Sequence, residues 1–250
     1  MALMTSGIAR SAARTALHGI DRAERSLARS VRRFAAPLVH RWFFQDLIEK
    51  TDNFATVSWL GRPVWQNVLD LWVLQETIAG LQPEVVIECG TNRGGSALFM
   101  AQLFDLIGAG RVITVDIEKL HSIAHPRITF ITGDSASPGT VATVREALGQ
   151  PGGPVMVILD SDHRQRHVAA ELEAYAPFVT PGSYLLVQDG IIDVLPSFRR
   201  GRPGPMPAIA DFLRRHREFA VDRERCERML ISHHPDGWLR RLPTGTAHAD

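Results

Sequence analysis

Several acids in the middle of the chain stand where an apolar run gives way to a loop, and those positions carry the first hint of chemistry. Residues 85–95 read VVIECGTNRGG: an apolar run ends at Glu88-Cys89, a glycine turn follows, and Gly94-Gly95-Ser96 can open a helix. Glycine lets the backbone turn sharply and lets a ligand approach without a Cβ in the way. The spacing Gly90-x-x-x-Gly94 is not the G-x-G-x-x-G of dinucleotide sites. Glu88 would put a carboxylate where a pyrophosphate must sit, which suits a cationic ligand such as the sulfonium and amino groups of S-adenosylmethionine. Asp116 ends the next apolar run and can accept hydrogen bonds from both ribose hydroxyls. Asp134-Ser135 follows the third run and can meet an adenine amine. The residues expected around such a cofactor are Glu88, Gly90, Thr91, Gly94, Ser96, Asp116, Asp134 and Ser135. Singly, each acid could equally cap a helix or close a turn; their order after three successive runs argues for a ligand.

A second group follows. Residues 157–163 read VILDSDH and residues 187–189 read VQD. If these close neighbouring strands, Asp160 and Asp189 lie side by side. Hard cations such as Mg²⁺ take oxygen ligands, often one or two carboxylates plus waters. Asp160, Asp189 and the carbonyl oxygen of Gln188 could supply three. Asp162 could serve instead, or cap the helix that follows. His163, three residues past Asp160, could take a proton from an alcohol held there. The competing view is that these carboxylates only hold the loop. Elsewhere, His121 and His125 have no obvious third ligand, and His233-His234 falls in a terminal turn. No C-x-x-C, H-E-x-x-H or G-x-S-x-G pattern occurs, which argues against zinc and an esterase triad.

These side chains need a scaffold that brings strand ends together. Apolar runs at 85–89, 111–116, 127–132, 155–160 and 183–188 alternate with helical stretches at 94–108, 138–148 and 164–178. Continuous apolar strands separated by helices are the pattern of a parallel sheet covered on both faces. A helix near 206–216 and two short strand candidates, 218–222 and 237–241, form a hairpin-like end. Pro63 is expected to open a helix to about Leu81 whose Trp65, Leu69, Trp72 and Ile78 pack into the core. Residues 38–60, rich in Trp and Phe, are expected to form a helix and a loop over one end of the sheet.

The chain has 250 residues, 45% hydrophobic and 22% charged, which fits one α/β domain with appendages. Its net charge of +1 gives no field for nucleic acid. The charge is uneven: residues 1–40 hold seven arginines against Asp21 and Glu24. Arg22, Arg25, Arg29 and Arg32 share one helix face, so residues 1–36 read as a basic helical arm, either a membrane-surface or partner helix or a solvated terminus. Two cysteines, with Cys89 in an apolar strand, suggest a free buried thiol and a reducing cytosol. No apolar run reaches membrane-spanning length.

At the same residues the chain resembles the bacterial cephalosporin hydroxylase/rhamnosyl O-methyltransferase family, made of class I S-adenosylmethionine-dependent methyltransferases. The matching segments are HRWFF at 40–44, WQNVLDLWVLQE at 65–76, VIECGTNRGGSA at 86–97, LDSDH at 159–163, His167-Val168, PGSYLLVQD at 181–189, the loop 200–207 and Gly237-Trp238-Leu239, so it covers roughly residues 40–241. The resemblance implies a Rossmann-like, mostly parallel seven-stranded sheet with helices on both faces and an antiparallel C-terminal strand. Residues 37–242 are then expected to form the methyltransferase domain (37–83 a helical cap, 84–242 the core), while the composition of 243–250 (PTGTAHAD) reads as a disordered tail. It implies S-adenosylmethionine and usually Mg²⁺, with Asp160, Gln188 and Asp189 at the metal positions and His163 as general base. The family usually has Glu-Asp where this chain has Gln188-Asp189, so the metal site loses one charge. The expected activity is O-methylation of a sugar or natural-product hydroxyl, the acceptor lying under the 195–207 loop and the aromatic 42–60 segment. A scaffold without turnover is the alternative that Gln188 keeps open; a nicotinamide oxidoreductase fits the glycine spacing poorly. The expected partners are a small-molecule or glycolipid acceptor, a membrane surface met through the arm, and a second copy in a homo-oligomer, with no nucleic acid. The expected location is cytoplasmic, peripheral to the membrane if the arm binds it.

Overall fold

A computed structural model describes residues 38, 42, 45, 56–229 and 232–243. Contacts within the chain divide it into two units, residues 1–50 and 51–250. In the first unit, Leu38, Trp42 and Gln45 are helical. The arm at 1–36, most of the aromatic segment at 38–60 and the tail from 244 lie outside the described residues.

The second unit is built on a seven-stranded sheet. Its elements are a small hairpin of β1 (Ser58–Trp59) and β2 (Arg62–Pro63), then α1 (Val68–Leu81), β3 (Val85–Cys89), α2 (Gly95–Ile107), β4 (Arg111–Asp116) and β5 (Ile128–Thr132). There follow α3 (Pro138–Leu148), β6 (Val155–Leu159), α4 (Gln165–Tyr175), β7 (Tyr184–Val187), α5 (Pro205–Arg215), β8 (Phe219–Val221), α6 (Arg223–Cys226) and β9 (Trp238–Arg241). The sheet order is β5-β4-β3-β6-β7-β9-β8. β5, β4, β3, β6 and β7 pair in parallel, and β9 runs antiparallel between β7 and β8. The two terminal strands do pair antiparallel, as the sequence predicts. They are not a tight hairpin, because residues 222–237, with α6 and the His233–Gly237 turn, intervene.

Period-two alternation sends β3 to two cores. Val85, Ile87 and Cys89 pack with Val141 and Val144 of α3, Leu172 of α4 and Phe212 of α5. Val86 packs on the other face with Leu74 and Ile78 of α1, Met100 and Phe104 of α2, and Trp238. Glu88 follows the same alternation onto the second face, which buries a carboxylate under the start of α2. The free Cys89 is fully buried, and that burial pushes its thiol up, the state of an inert core thiol.

Two expectations near α1 fail. Pro63 does not open the helix; it lies in β2 paired with Ser58. The chain then passes through Trp65 in a left-handed conformation (φ 56°), and Asn67 caps the helix by accepting from the Leu69 N–H at 3.1 Å. Nor does the tryptophan face pack into the core. Trp65 and Trp72 are 52% and 57% exposed, and of the expected stripe only Ile78 is fully buried. α1 is apolar on both sides, so period alone cannot tell its inner face. That face carries Leu71, Leu74 and Ile78 together with the polar Asp70 and Thr77. The hairpin β1–β2 was not expected; its Trp59 meets Phe99 of α2 edge-on at 5.0 Å.

Candidate active site

The carboxyl ends of β3, β4, β5, β6 and β7 open into one cavity of about 570 Å³, within the range of small-ligand sites. In open α/β sheets ligands bind in this crevice. Its walls carry Gly90, Thr91, Ser96, Asp116, Asp134, Ser135, Asp160, His163 and Asp189 among the expected residues.

The turn after β3 is shaped by contact between neighbouring strand ends. Gly90 has φ 106°, and a Cβ there would lie 2.0 Å from the Asp160 carbonyl oxygen. The Asp160 N–H in turn donates to the Cys89 carbonyl at 2.8 Å. Gly94 also has positive φ (78°), but a Cβ there would meet Ile123, away from the cavity. Glu88 is 1% exposed and stands behind the wall. Thr114 Oγ1 donates to its Oε2 at 2.6 Å, and the Thr91 and Thr114 hydroxyls lie 2.6 Å apart. Thr114 has one proton and gives it to Glu88, so Thr91 must donate to Thr114. Burial pushes Glu88 up to about 7, against hydrogen bonds from Ser96 and Thr114.

Asp116 Oδ2 accepts from the Asn92 N–H at 2.7 Å, which ties the turn to β4 and leaves the half-buried carboxylate in the cavity wall. Asp134 is exposed and accepts from the Ala136 N–H at 3.0 Å. Ser135 is buried, its hydroxyl donating to Glu171 Oε1 at 2.5 Å. Ser161 Oγ donates to the same oxygen at 2.6 Å, and His167 Nε2 lies 3.4 Å from it. The buried Glu171 thus ties the loops after β5 and β6 and holds His167 at the cavity wall, raising that imidazole above its ordinary pKa.

At the other end, Asp160, His163 and Asp189 converge. One ligand atom from each lies within 4.8 Å of the others, the one such group among the described residues. His163 Nε2 is 3.2 Å from Asp189 Oδ2. Burial first, then the negative charges of Asp189, Glu88 and Glu171, push Asp160 well above the ordinary carboxylate range. Two hard carboxylates, short of positive charge, fit a Mg²⁺-like ion, and the imidazole stands beside them as a base. Gln188 is buried beside them, and its amide is engaged by another side chain. Gln66 Nε2 donates to Gln188 Oε1 at 2.5 Å and to Asp160 Oδ2 at 2.7 Å. With the Gln188 amide turned over, its nitrogen instead donates to the Asp160 oxygens at 3.0 and 3.1 Å. Asp162 takes the capping role: it accepts from the Arg164 N–H at 3.0 Å and pairs with the Arg164 guanidinium.

Four residues close to this centre were missed from the sequence: Gln66, Asp70, His233 and His234. The expectation that the His233-His234 turn stands apart from any site is incorrect. The turn folds back against Asp189, with His233 Nδ1 3.9 Å from Asp189 Oδ1 and His234 Nδ1 accepting from the Asp189 N–H at 3.1 Å. Burial lowers the His233 imidazole to about 4, so it is neutral near pH 7. Gln66 and Asp70 do fall inside the segment 65–76 that carries the family resemblance, though nothing in their types marked them.

A family model described as rhamnosyl O-methyltransferase/CmcI matches residues 52–242. The chain is 32% identical over 213 residues to a rhamnosyl O-methyltransferase of Mycobacterium tuberculosis (strain ATCC 25618 / H37Rv), covering 81% of this chain and 83% of that one. It is 34% identical over 189 residues to the rhamnosyl O-methyltransferase of Mycobacterium leprae (strain TN), covering 74% and 79%. A solved structure of CmcI with Mg and SAM superposes with a TM-score of 0.61 at 21% identity, covering 76% of this chain and 78% of that chain, a likeness of fold.

Proposed function

The chain belongs to the rhamnosyl O-methyltransferase/CmcI family, and from that premise we propose that it is an S-adenosylmethionine-dependent O-methyltransferase acting on a sugar hydroxyl, assisted by a divalent cation. The observation that carries the reading is the convergence of Asp160, His163 and Asp189 in the same cavity that Asp116 and Asp134 line. A nucleoside end and a reaction end thus share one crevice.

S-adenosylmethionine supplies the methyl group, and a dication supplies charge that makes an acceptor hydroxyl more acidic. The chain's own residues do the rest. Asp116 takes the ribose hydroxyls, Asp134 and Ser135 meet the adenine, and Glu88 sets a negative potential behind Thr91 that favours the cofactor's cationic end. Asp160 and Asp189 hold the dication, with Gln66 and Gln188 fixing the Asp160 carboxylate. Asp189 orients His163 through Nε2, which leaves Nδ1 to accept the acceptor's proton. The rate gain rests chiefly on holding oxygen and methyl in line.

The sugar is carried on a glycolipid or another natural product. Supporting this, Trp65 lines the cavity and continues along α1 into exposed Val68, Leu69 and Trp72, an apolar surface beside the mouth. Among the described residues no helix is long and apolar enough to cross a membrane. Intact-mass analysis after incubation with S-adenosylmethionine, Mg²⁺ and a panel of deoxysugar glycosides tests the proposal. A gain of one methyl on a sugar hydroxyl is expected. Cofactor binding with no transfer to any member would leave a ligand-binding scaffold instead.

A further inference from the structure

Asp189 occupies a backbone conformation that few residues tolerate, with φ 57° and ψ 28°. Only Gly, and less often Asn or Asp, visits this left-handed region without strong neighbours to hold it. What holds it here is the turn at 232–237. The Asp189 N–H donates to His234 Nδ1 at 3.1 Å, and the Ile191 N–H donates to the His233 carbonyl at 3.0 Å. The fit is close enough that a Cβ on Gly190 would sit 3.0 Å from the Pro235 carbonyl oxygen.

His234 is itself oriented. Its Nδ1 accepts, so its proton is on Nε2. Nε2 is buried without a hydrogen-bond partner, 3.8 Å from Asp70 Oδ2. Asp70, 4% exposed on the inner face of α1, is fixed by the His233 N–H, which donates to the same oxygen at 2.8 Å. From α1, Asp70 thus holds the turn by the His233 N–H, and the next residue of that turn, His234, holds the backbone of Asp189. That backbone aims the carboxylate at Asp160 and His163.

We propose that Asp70 and His234 are positioning residues: they fix the left-handed backbone of Asp189 and so set the geometry of the divalent-cation site. The inference rests on reading Asp189 as a ligand of that cation. It assigns a role to two buried residues that touch neither the cavity nor the reacting groups.

The test is calorimetric titration of the cofactor-free protein with Mn²⁺, for wild type and His234 variants. His234→Phe keeps a ring but removes the acceptor, and should weaken the metal about 10–100-fold, the usual effect of losing a partner that orients a ligand. His234→Asn offers an amide oxygen where Nδ1 stood, and should bring affinity back to within roughly threefold of wild type, since the acceptor is restored. Stabilisation by S-adenosylmethionine should be the same in all three, because the nucleoside end does not touch this turn. Equal metal affinity in wild type and His234→Phe overturns the proposal. So does an Asn variant as weak as the Phe variant, which would make His234 mere packing. If His234→Phe does not fold, His234→Gln replaces it. Its longer amide reaches past the Asp189 N–H, so affinity must fall, and wild-type affinity there overturns the proposal equally. A wild type that binds no Mn²⁺ at all sinks the cation reading itself, a result separate from any difference among variants.

Discussion

Glu88 is where burial and ligand chemistry pull against each other, and the consequence can be measured without a substrate. The residue is buried under the start of α2, and that burial pushes its carboxyl from 4.5 up to about 7. Between those values the folded chain keeps a proton that the unfolded chain has released. Stability must therefore fall as pH rises through that window, and the full benefit is present only below it. At roughly 1.4 kcal/mol per pKa unit the loss is about 3 kcal/mol in all, of which about 2.5 kcal/mol falls between pH 5 and pH 8. Glu88→Gln removes the titration. Its amide alters the hydrogen bond from Thr114 by an amount that does not depend on pH, so comparing two pH values cancels it. Thermal unfolding followed by circular dichroism, without cofactor, at pH 5 and pH 8 gives the comparison. The drop in Tm from pH 5 to pH 8 should be smaller in Glu88→Gln by roughly 5–10 °C, the shift expected for that energy in a domain of this size. Binding of the cationic cofactor should draw the proton out, so wild type at pH 7 should release about half a proton on binding and the variant none. Parallel pH profiles for the two proteins would refute the reasoning, since Glu88 would then be ionised when folded.

Other perturbations act on separate parts of the cavity. Asp116→Ala should weaken S-adenosylmethionine about 10–100-fold, the loss of a charged hydrogen-bond acceptor, read by calorimetry; NAD should stabilise neither protein. His163→Ala should bind cofactor as wild type does and lose about 10²–10⁴ in turnover, the usual contribution of a general base; unchanged turnover would remove it from the reaction. Gly90→Ala must push its methyl against the Asp160 carbonyl from a left-handed backbone, so urea unfolding should show a loss of about 2 kcal/mol or more. Deleting residues 1–36 should abolish association with anionic vesicles at low salt and leave cofactor binding intact; equal partition with and without them would make the arm an ordinary terminus.

Much of the fold can be read in the chain because a parallel sheet covered on both faces needs unbroken apolar strands, and VVIEC, RVITVD and VMVIL have no other comfortable place. The helix expected at about 138–148 runs Pro138–Leu148, with Ser137 capping it and Pro138 opening it. The acids at strand ends were legible too, because topology alone carries the ends of parallel strands to one edge. Local pattern failed where a residue's neighbours come from far along the chain. α1 is apolar on two sides, and only the sheet beneath it decides that Leu74 and Ile78 go inward while Trp65 and Trp72 face out. His233 and His234 read as turn residues until β9 inserts between β7 and β8, which folds residues 232–237 back onto Asp189. Gln66 reaches Asp160 and Gln188 across 94 and 122 residues of sequence. A propensity or a spacing reports only what lies within a few residues, and these contacts exist only once the sheet has closed. The sequence by itself determined which strands build the seven-stranded sheet, in what sense they run and which carboxylates share an edge. The tertiary structure decided which polar groups hold those carboxylates, because each such partner is a buried donor or acceptor that only the packed chain can bring within hydrogen-bonding distance.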